Sequence, residues 1–243
     1  MKIQTGFSDK VATVFRILGV YQYSLLRQQT YLATHPFYGA CIVKFAATVF
    51  AKQQLKVEAE FLYHHSDRCW PQYLDYGSNM GIDWLIVEFF DSLSSGLGNM
   101  TVEDQQKITT SAEEALNTLH NNGYVHGDIK PSNLIITLQN EVKLVDFGSI
   151  TPIGSDYHSN SILSLTPKFC ALNPYLRSGQ ALPKHDYYSL AISLHTMWRA
   201  HPFSDLTLVE FARTNGSALL EGLVSRYQIL VSNQLKYAKQ FTY

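Results

Sequence analysis

The stretch Tyr124-Val125-His126-Gly127-Asp128-Ile129-Lys130-Pro131-Ser132-Asn133-Leu134-Ile135-Ile136, followed thirteen positions after Asn133 by Asp146-Phe147-Gly148, puts two carboxylates, an amide and an amine on loops between short apolar segments. Phosphoryl transfer needs little covalent help and much positioning. It takes a carboxylate to orient the attacking hydroxyl, a carboxylate and an amide oxygen to hold Mg2+, and cations to neutralise the charge that develops on the transferred group. Asp128, Lys130, Asn133 and Asp146 supply each part. Taken alone, Asp146-Phe147-Gly148 is also an ordinary turn sequence, so it is the ordered set that carries the reading.

The flanking sequence has to hold these loops. Val14–Val20, Thr30–Thr34 and Ala40–Phe45 are rich in Val, Ile, Tyr and Phe and read as an antiparallel meander, with a turn at His35-Pro36-Phe37-Tyr38-Gly39. Ala51–His65 changes to helical spacing through Leu55, Ala59 and Leu62, and Gln72–Tyr76 and the apolar run Trp84–Phe90 follow as strands. The spacing predicts a small first lobe of five strands and one helix, with no element assigned before Val14. Beyond Asp91 a helix starts with Thr101 as its N-cap and Asp104 three residues on, carries the stripe Ile108, Ala112, Ala115, Leu116 and Leu119, and ends at Gly123. Short strands at Asn133–Thr137 and Val142–Val145, an irregular segment from Ser149 to Pro167 and a buried helix over Asp186–Trp198 complete a mainly helical second lobe. The expected class is α+β: one domain over 1–243, its first lobe about 1–90 and its second about 91–243.

With these motifs in order, the sequence resembles the protein kinases, specifically the eukaryotic-like Ser/Thr kinases of bacteria. His126-Gly127-Asp128 stands where that family usually has H-R-D, and Asp146-Phe147-Gly148 is its D-F-G. Cys41-Ile42-Val43-Lys44 resembles the V-A-I-K strand, Glu58 precedes Leu62 as the family's helix glutamate precedes a leucine, and Thr166-Pro167-Lys168-Phe169-Cys170-Ala171 resembles T-P-x-Y-x-A. Asp186-Tyr187-Tyr188-Ser189-Leu190 resembles D-x-x-S-L, with His201-Pro202-Phe203 beyond it, so the likeness runs from about Val14 to Phe203. The resemblance implies a two-lobed fold and an ATP- and Mg2+-dependent kinase that phosphorylates Ser or Thr hydroxyls of a protein. It makes Asp128 the catalytic base, Lys130 a γ-phosphate ligand, and Asn133 and Asp146 the Mg2+ ligands. Lys44, steadied by Glu58, would bind the α/β-phosphates, and Val87-Glu88-Phe89-Phe90 would be the hinge whose backbone meets adenine.

Three departures bear on this reading. Gln22-Tyr23-Ser24-Leu25-Leu26-Arg27-Gln28, between the first two strands, has no glycine where the family's glycines let backbone N–H groups approach phosphates, which leaves Arg27 as a side chain that could compensate. Gly127 replaces the arginine that in many kinases pairs with a phosphorylated activation segment. Ala171-Leu172-Asn173 stands in place of A-P-E, and the arginine partner of that glutamate is expected to be missing too, so a reduced C-terminal end of the lobe is expected. The missing glycines motivate a second reading, a pseudokinase or scaffold that binds nucleotide weakly or not at all. Gly127 motivates a third, a small-molecule kinase, against which Lys130-Pro131 and Thr166 speak.

Composition excludes other classes. In 243 residues, 46% hydrophobic content leaves ample material for a core, and 16% charged content argues against long disordered tails. Nineteen basic against twenty acidic side chains, with no basic run, make nucleic acid or an anionic membrane an unexpected partner. Cys41, Cys69 and Cys170 are widely spaced, without the C-x-x-C pairs of zinc or redox sites, and the opening residues lack the apolar core of a signal peptide; both fit the cytoplasm. Gly96-Leu97-Gly98 lacks the third glycine and the βαβ setting of a dinucleotide loop and reads as a connector. The histidines show no metal-ligand spacing, and His126 is expected to pack in its loop rather than move protons. The Ser and Thr residues between Ser149 and Thr166 are candidate autophosphorylation sites, and any regulator or acceptor protein would act in trans.

Overall fold

Ile82, Trp84, Leu85, Ile86 and Val87 are all buried, so both faces of the strand they form are covered. In the computed structural model, which describes residues 6–93, 100–160, 164–214 and 216–241, two covers account for this. The chain divides into two units, Met1–Phe90 and Asp91–Tyr243. The first holds helix α1 (Phe7–Ile17), strands β1 (Gln22–Arg27), β2 (Thr30–His35) and β3 (Gly39–Ala46), helix α2 (Val49–His64), and strands β4 (Tyr73–Asn79) and β5 (Ile82–Glu88). All pairings are antiparallel, in the order β1-β2-β3-β5-β4. One face of the sheet, carrying Cys41, Val43, Phe45, Trp84 and Ile86, forms a core with Val11, Val14 and Phe15 of α1. The alternate residues face the other way, the side on which α2 packs against β3, β4 and β5 with Leu55, Ala59 and Leu62 buried.

Helix α1 corrects the expected strand at Val14–Val20. Phe7, Val11, Val14, Phe15 and Leu18 follow the 3.6-residue period and all join the same core, and the Asp9 carboxylate accepts the Gly6 N–H at 3.2 Å to start the helix. The β-branched residues that suggested a strand lie inside this period, and among the described residues the first unit has two helices rather than one. The first strand is Gln22–Arg27, the segment expected to be a loop. It pairs with β2 through a turn at Gln28-Gln29, where Gln28 takes φ +39°. The Phe15 ring stacks on Tyr23 at 4.0 Å and meets Tyr31 and Phe45 edge-on at 5.4 and 5.2 Å, tying α1 to three strands.

The second unit opens on α3 (Val102–Asn121), which starts at Thr101 as expected: the Asp104 N–H donates to the Thr101 hydroxyl at 3.1 Å, and Gly123 at φ +88° follows the helix end. The whole stripe from Ile108 to Leu119 is buried. Strands β6 (Tyr124–Val125), β7 (Leu134–Ile136), β8 (Val142–Leu144) and β9 (Thr151–Pro152) follow, then helices α4 (Leu172–Tyr175), α5 (Pro183–Trp198), α6 (Leu208–Ala212) and α7 (Ser225–Ala238). β6 pairs with β9 and β7 with β8, both antiparallel. Leu134 lies opposite Leu144, and the Val145 N–H donates to the Asn133 carbonyl at 3.1 Å, so Asn133 and Asp146 emerge at the same end of one ribbon. Gly96-Leu97-Gly98 lies outside the described residues.

The first turn of α5 anchors this loop region. Asp186, buried there, accepts the N–H groups of His126 at 2.7 Å and Gly127 at 3.0 Å and lies 2.9 Å from His120 Nε2. Beside it, buried His185 turns Nδ1 to the Tyr157 hydroxyl at 3.0 Å and the Leu182 N–H at 3.4 Å, linking α5 to the segment after β9. Burial first, and the charge of Lys184 second, outweigh the pull of Asp186 and push the His185 imidazole down to about 4.

Two outcomes follow from these packings. Phe15→Ala should destabilise the protein by about 3–5 kcal/mol in chemical denaturation, because it leaves a cavity under three aromatic partners. Because His185 protonates less readily folded than unfolded, it contributes stability that is complete above about pH 6.5 and is lost as pH falls toward about 4. The size is on the order of 3 kcal/mol. The unfolding free energies of wild type and His185→Gln, compared between pH 7 and pH 4, should therefore converge as the pH falls.

Candidate active site

Lys44 sits on β3 because the alternation of that strand turns Cys41, Val43 and Phe45 to the α1 core and Ile42, Lys44 and Ala46 to the opposite face. Its ammonium meets both Glu58 oxygens, at 2.7 and 2.9 Å, and Glu58 is only 2% exposed on α2. Glu60 is exposed and reaches Lys56, at 3.6 Å, so the helix offers Glu58 alone of the two to the sheet. Removing one partner of so buried a pair leaves an uncompensated charge, which makes the two residues mutually dependent. Glu88 ends β5, its N–H donated to the Gln72 carbonyl at 3.0 Å and its carboxylate accepting the Gln72 N–H at 3.1 Å. Phe89 follows, half-buried and outside the strand.

In the second unit the structure brings Asp128, Lys130 and Asn133 into mutual contact. Lys130 Nζ donates to Asp128 Oδ2 at 2.6 Å and to the Thr166 hydroxyl at 3.0 Å. Asn133, fully buried, donates from Nδ2 to the Asp128 carbonyl at 2.9 Å, which fixes the amide plane and leaves Oδ1 as the acceptor end, 3.4 Å from the Ser132 hydroxyl. Asp146 follows β8 in the left-handed region, at φ +73° and ψ +68°, a backbone state costing about 1–3 kcal/mol and often kept at functional positions. Phe147 behind it is fully buried. His126 has the packing role expected of it. Its ring lies 5.1 Å from that of Phe147, Nδ1 accepts the Asp128 N–H at 3.3 Å, and Nε2 faces the Val145 carbonyl at 3.1 Å. Both nitrogens are engaged with backbone on either side of the loop.

Gly127 has a steric reason. Its φ is +80°, and a Cβ there would lie 2.8 Å from the Ser149 carbonyl oxygen. In the segment that follows, Ser149 Oγ donates to the Ser164 carbonyl at 2.8 Å, and Asn160 Nδ2 donates to the Thr151 hydroxyl at 2.8 Å. Near Ala171-Leu172-Asn173 a neutral contact also appears, with Gln234 Oε1 of α7 accepting the Leu172 N–H at 3.1 Å. The anchoring roles of Asp186 and Gln234 were not legible in residue spacing. Asp186 carried the D-x-x-S-L likeness, but nothing local distinguishes a buried carboxylate serving a distant loop from a helix N-terminal acid, and Gln234 left no signal.

Among the described residues no cluster of three or more His, Cys, Asp and Glu forms a ready-made metal cage. Asn133 Oδ1 and the Asp146 carboxylate are hard oxygen donors in the number that suits Mg2+, which keeps waters and substrate phosphates as its other ligands. All three cysteines are free, buried thiols. No described helix is long and apolar enough to cross a membrane.

Comparison with known proteins places these motifs. The family described as the protein kinase domain matches residues 77–235, which takes in Asp128, Lys130, Asn133 and Asp146 and begins after Lys44 and Glu58. The LRR receptor-like serine/threonine-protein kinase IOS1 of Arabidopsis thaliana is 30% identical over 66% of this chain and 19% of its own length. The serine/threonine-protein kinase shk1/pak1 of Schizosaccharomyces pombe is 32% identical over 49% of the chain and 18% of its own length. The serine/threonine-protein kinase PknB of Mycobacterium tuberculosis is 28% identical over 50% of the chain and 20% of its own length. The chain thus spans about a fifth of the length of each of these relatives. With the α+β fold, the H-G-D and D-F-G loops and a family match over well more than half its residues, the chain belongs to the protein kinase domain family.

Proposed function

We propose that this chain is a Mg-ATP-dependent Ser/Thr protein kinase that transfers the γ-phosphate of ATP to a protein hydroxyl. The observation that carries the reading is the Lys130 ammonium held between the Asp128 carboxylate and the Thr166 hydroxyl, with the Asn133 amide locked on the same loop. In this mechanism Asp128 orients the acceptor hydroxyl and takes its proton as oxygen bonds to phosphorus and the bond to the ADP oxygen breaks. Lys130 neutralises charge on the transferred group, and Lys44, paired with Glu58, meets the α/β-phosphates. The backbone of Glu88 and Phe89 meets adenine. Mg2+, held by Asn133 and Asp146, would supply charge neutralisation at the phosphates. The acceptor is a protein Ser or Thr, any regulator acts in trans, and the compartment is the cytoplasm.

The Gln28-Gln29 turn favours a second reading. Its short, glycine-free backbone gives phosphates less access to N–H groups than a glycine loop would, which suits a scaffold that binds nucleotide weakly. Transfer of γ-labelled phosphate from ATP to the protein itself and to a basic acceptor protein, with and without Mg2+, separates the two. A kinase labels Ser or Thr only with Mg2+, and Asp128→Asn lowers the rate by about two to four orders of magnitude without changing the melting temperature. Absence of labelling, with ATP binding still visible by thermal shift, favours the scaffold. Arg27 ends β1 beside the turn, exposed, so Arg27→Ala should raise the ATP KM, and an unchanged KM would remove Arg27 from the phosphate site.

A further inference from the structure

The first turns of α2 carry little apolar anchorage. Val49 is 76% exposed and Phe50 44%, and the buried residues of the helix begin only at Leu55. What ties this end of the helix to the sheet is polar. Lys52 Nζ lies 3.0 Å from Asp83 Oδ1, and the same carboxylate accepts the Ser78 hydroxyl at 2.7 Å and the Tyr76 hydroxyl at 3.2 Å. The Asp83 side chain is 13% exposed and that of Lys52 26%, so the network is shielded well beyond an ordinary surface pair. Burial works against the charge on Asp83, but hydrogen bonds from Ser78, Lys52 and Tyr76 outweigh it and hold the carboxyl below its usual range. Burial and the neighbouring Asp83 charge push Tyr76 up to about 12, keeping its hydroxyl a donor.

The register places this network on the sheet face that bears Lys44. Lys44 lies opposite Leu85 and Ala46 opposite Asp83, so Lys44 and Asp83 share a face. On the helix, Lys52 and Glu58 are six residues apart, about 9 Å along the axis. The two contacts have opposite polarity: at Glu58 the helix supplies the anion, and at Lys52 the cation. Apolar packing through Leu55, Ala59 and Leu62 seats the rest of α2 on the sheet, and the second ion pair, of opposite sign, holds the position and rotation of the end that this packing does not reach.

We infer that Lys52, Asp83, Tyr76 and Ser78 form a latch that holds α2 so that Glu58 stays on Lys44, which makes Lys52 and Asp83 positioning residues for nucleotide use. The inference rests on the kinase reading for its consequence in ATP use, and on geometry alone for its effect on the helix.

The experiment compares wild type, Lys52→Met, Asp83→Asn and the exchanged pair Lys52→Asp with Asp83→Lys. Two quantities are measured: hydrogen exchange of the Val49–His64 amides without nucleotide, and the KM values for ATP and acceptor in phosphate transfer. Each single variant should exchange faster across α2 and raise the ATP KM by about three-fold or more with the acceptor KM unchanged, the size expected for a shielded pair. The exchanged pair should recover both. In a Glu58→Gln background, Asp83→Asn should add nothing to the ATP KM, because the contact it protects is already gone. Unchanged exchange in both single variants would overturn the latch, and faster exchange with an unchanged ATP KM would overturn its positioning role. If wild type transfers no phosphate, the kinase reading fails by itself, and the exchange comparison still decides whether the latch holds the helix.

Discussion

The carboxylate of Asp186 is buried, and three polar groups are aimed at it. The N–H groups of His126 and Gly127 and the ring nitrogen of His120 converge there from α3 and the loop that carries Asp128. Burying a charge is costly unless its hydrogen bonds are complete, so this carboxylate is stable only when the loop has its native course. The dependence runs outward from there. Gly127 takes its left-handed conformation against Ser149, His126 bridges the Asp128 N–H and the Val145 carbonyl, and Asn133 closes back on Asp128. One anchor on a buried helix thereby sets the geometry of polar groups on two separate loops, the one between β6 and β7 and the one between β8 and β9.

Around that anchor, several of the contacts are neutral hydrogen bonds. A side chain at 127 would press on the Ser149 carbonyl, and the segment after β9 is secured by Ser149, Ser164, Thr151 and Asn160 instead of an arginine waiting for a phosphate. The Leu172 N–H is held by the Gln234 amide oxygen at 3.1 Å. Neutral hydrogen bonds cost less to bury than ions and do not vary with salt, and they stand beside the Lys130 ammonium, which donates to the Thr166 hydroxyl of the same segment at 3.0 Å.

The first unit shows the same economy in its sheet. With α1 on one face and α2 on the other, β5 is covered on both sides, and its Trp84-Leu85-Ile86-Val87 run needs no polar alternation. Lys44 is tolerated on the α2 face because Glu58 meets it there, and Asp83 because Lys52, Ser78 and Tyr76 do. Polar groups on an otherwise apolar face are thus each matched by a partner from α2 or the neighbouring strand.

Residue types and their spacing determined a good deal by themselves. The helix starting at Thr101, the stripe from Ile108 to Leu119, four of the five strands of the first unit and the loops around Asp128 and Asp146 were all legible, because caps, periodicity and turns are local and leave a local trace. Val14–Val20 misled because β-branched residues favour strands only weakly, and the helical period that overrides them becomes visible only when Phe7 and Val11 are counted with it. The Leu62 spacing already singled out Glu58 as the partner of Lys44, whereas tertiary structure alone decided that Asp186 carries the loop sixty residues before it, that Gln234 reaches Leu172, and that Lys52 meets Asp83. Each of these is a pairing between residues far apart in the chain. The energy of such a pairing depends on burial and distance, quantities that exist only once the chain has folded.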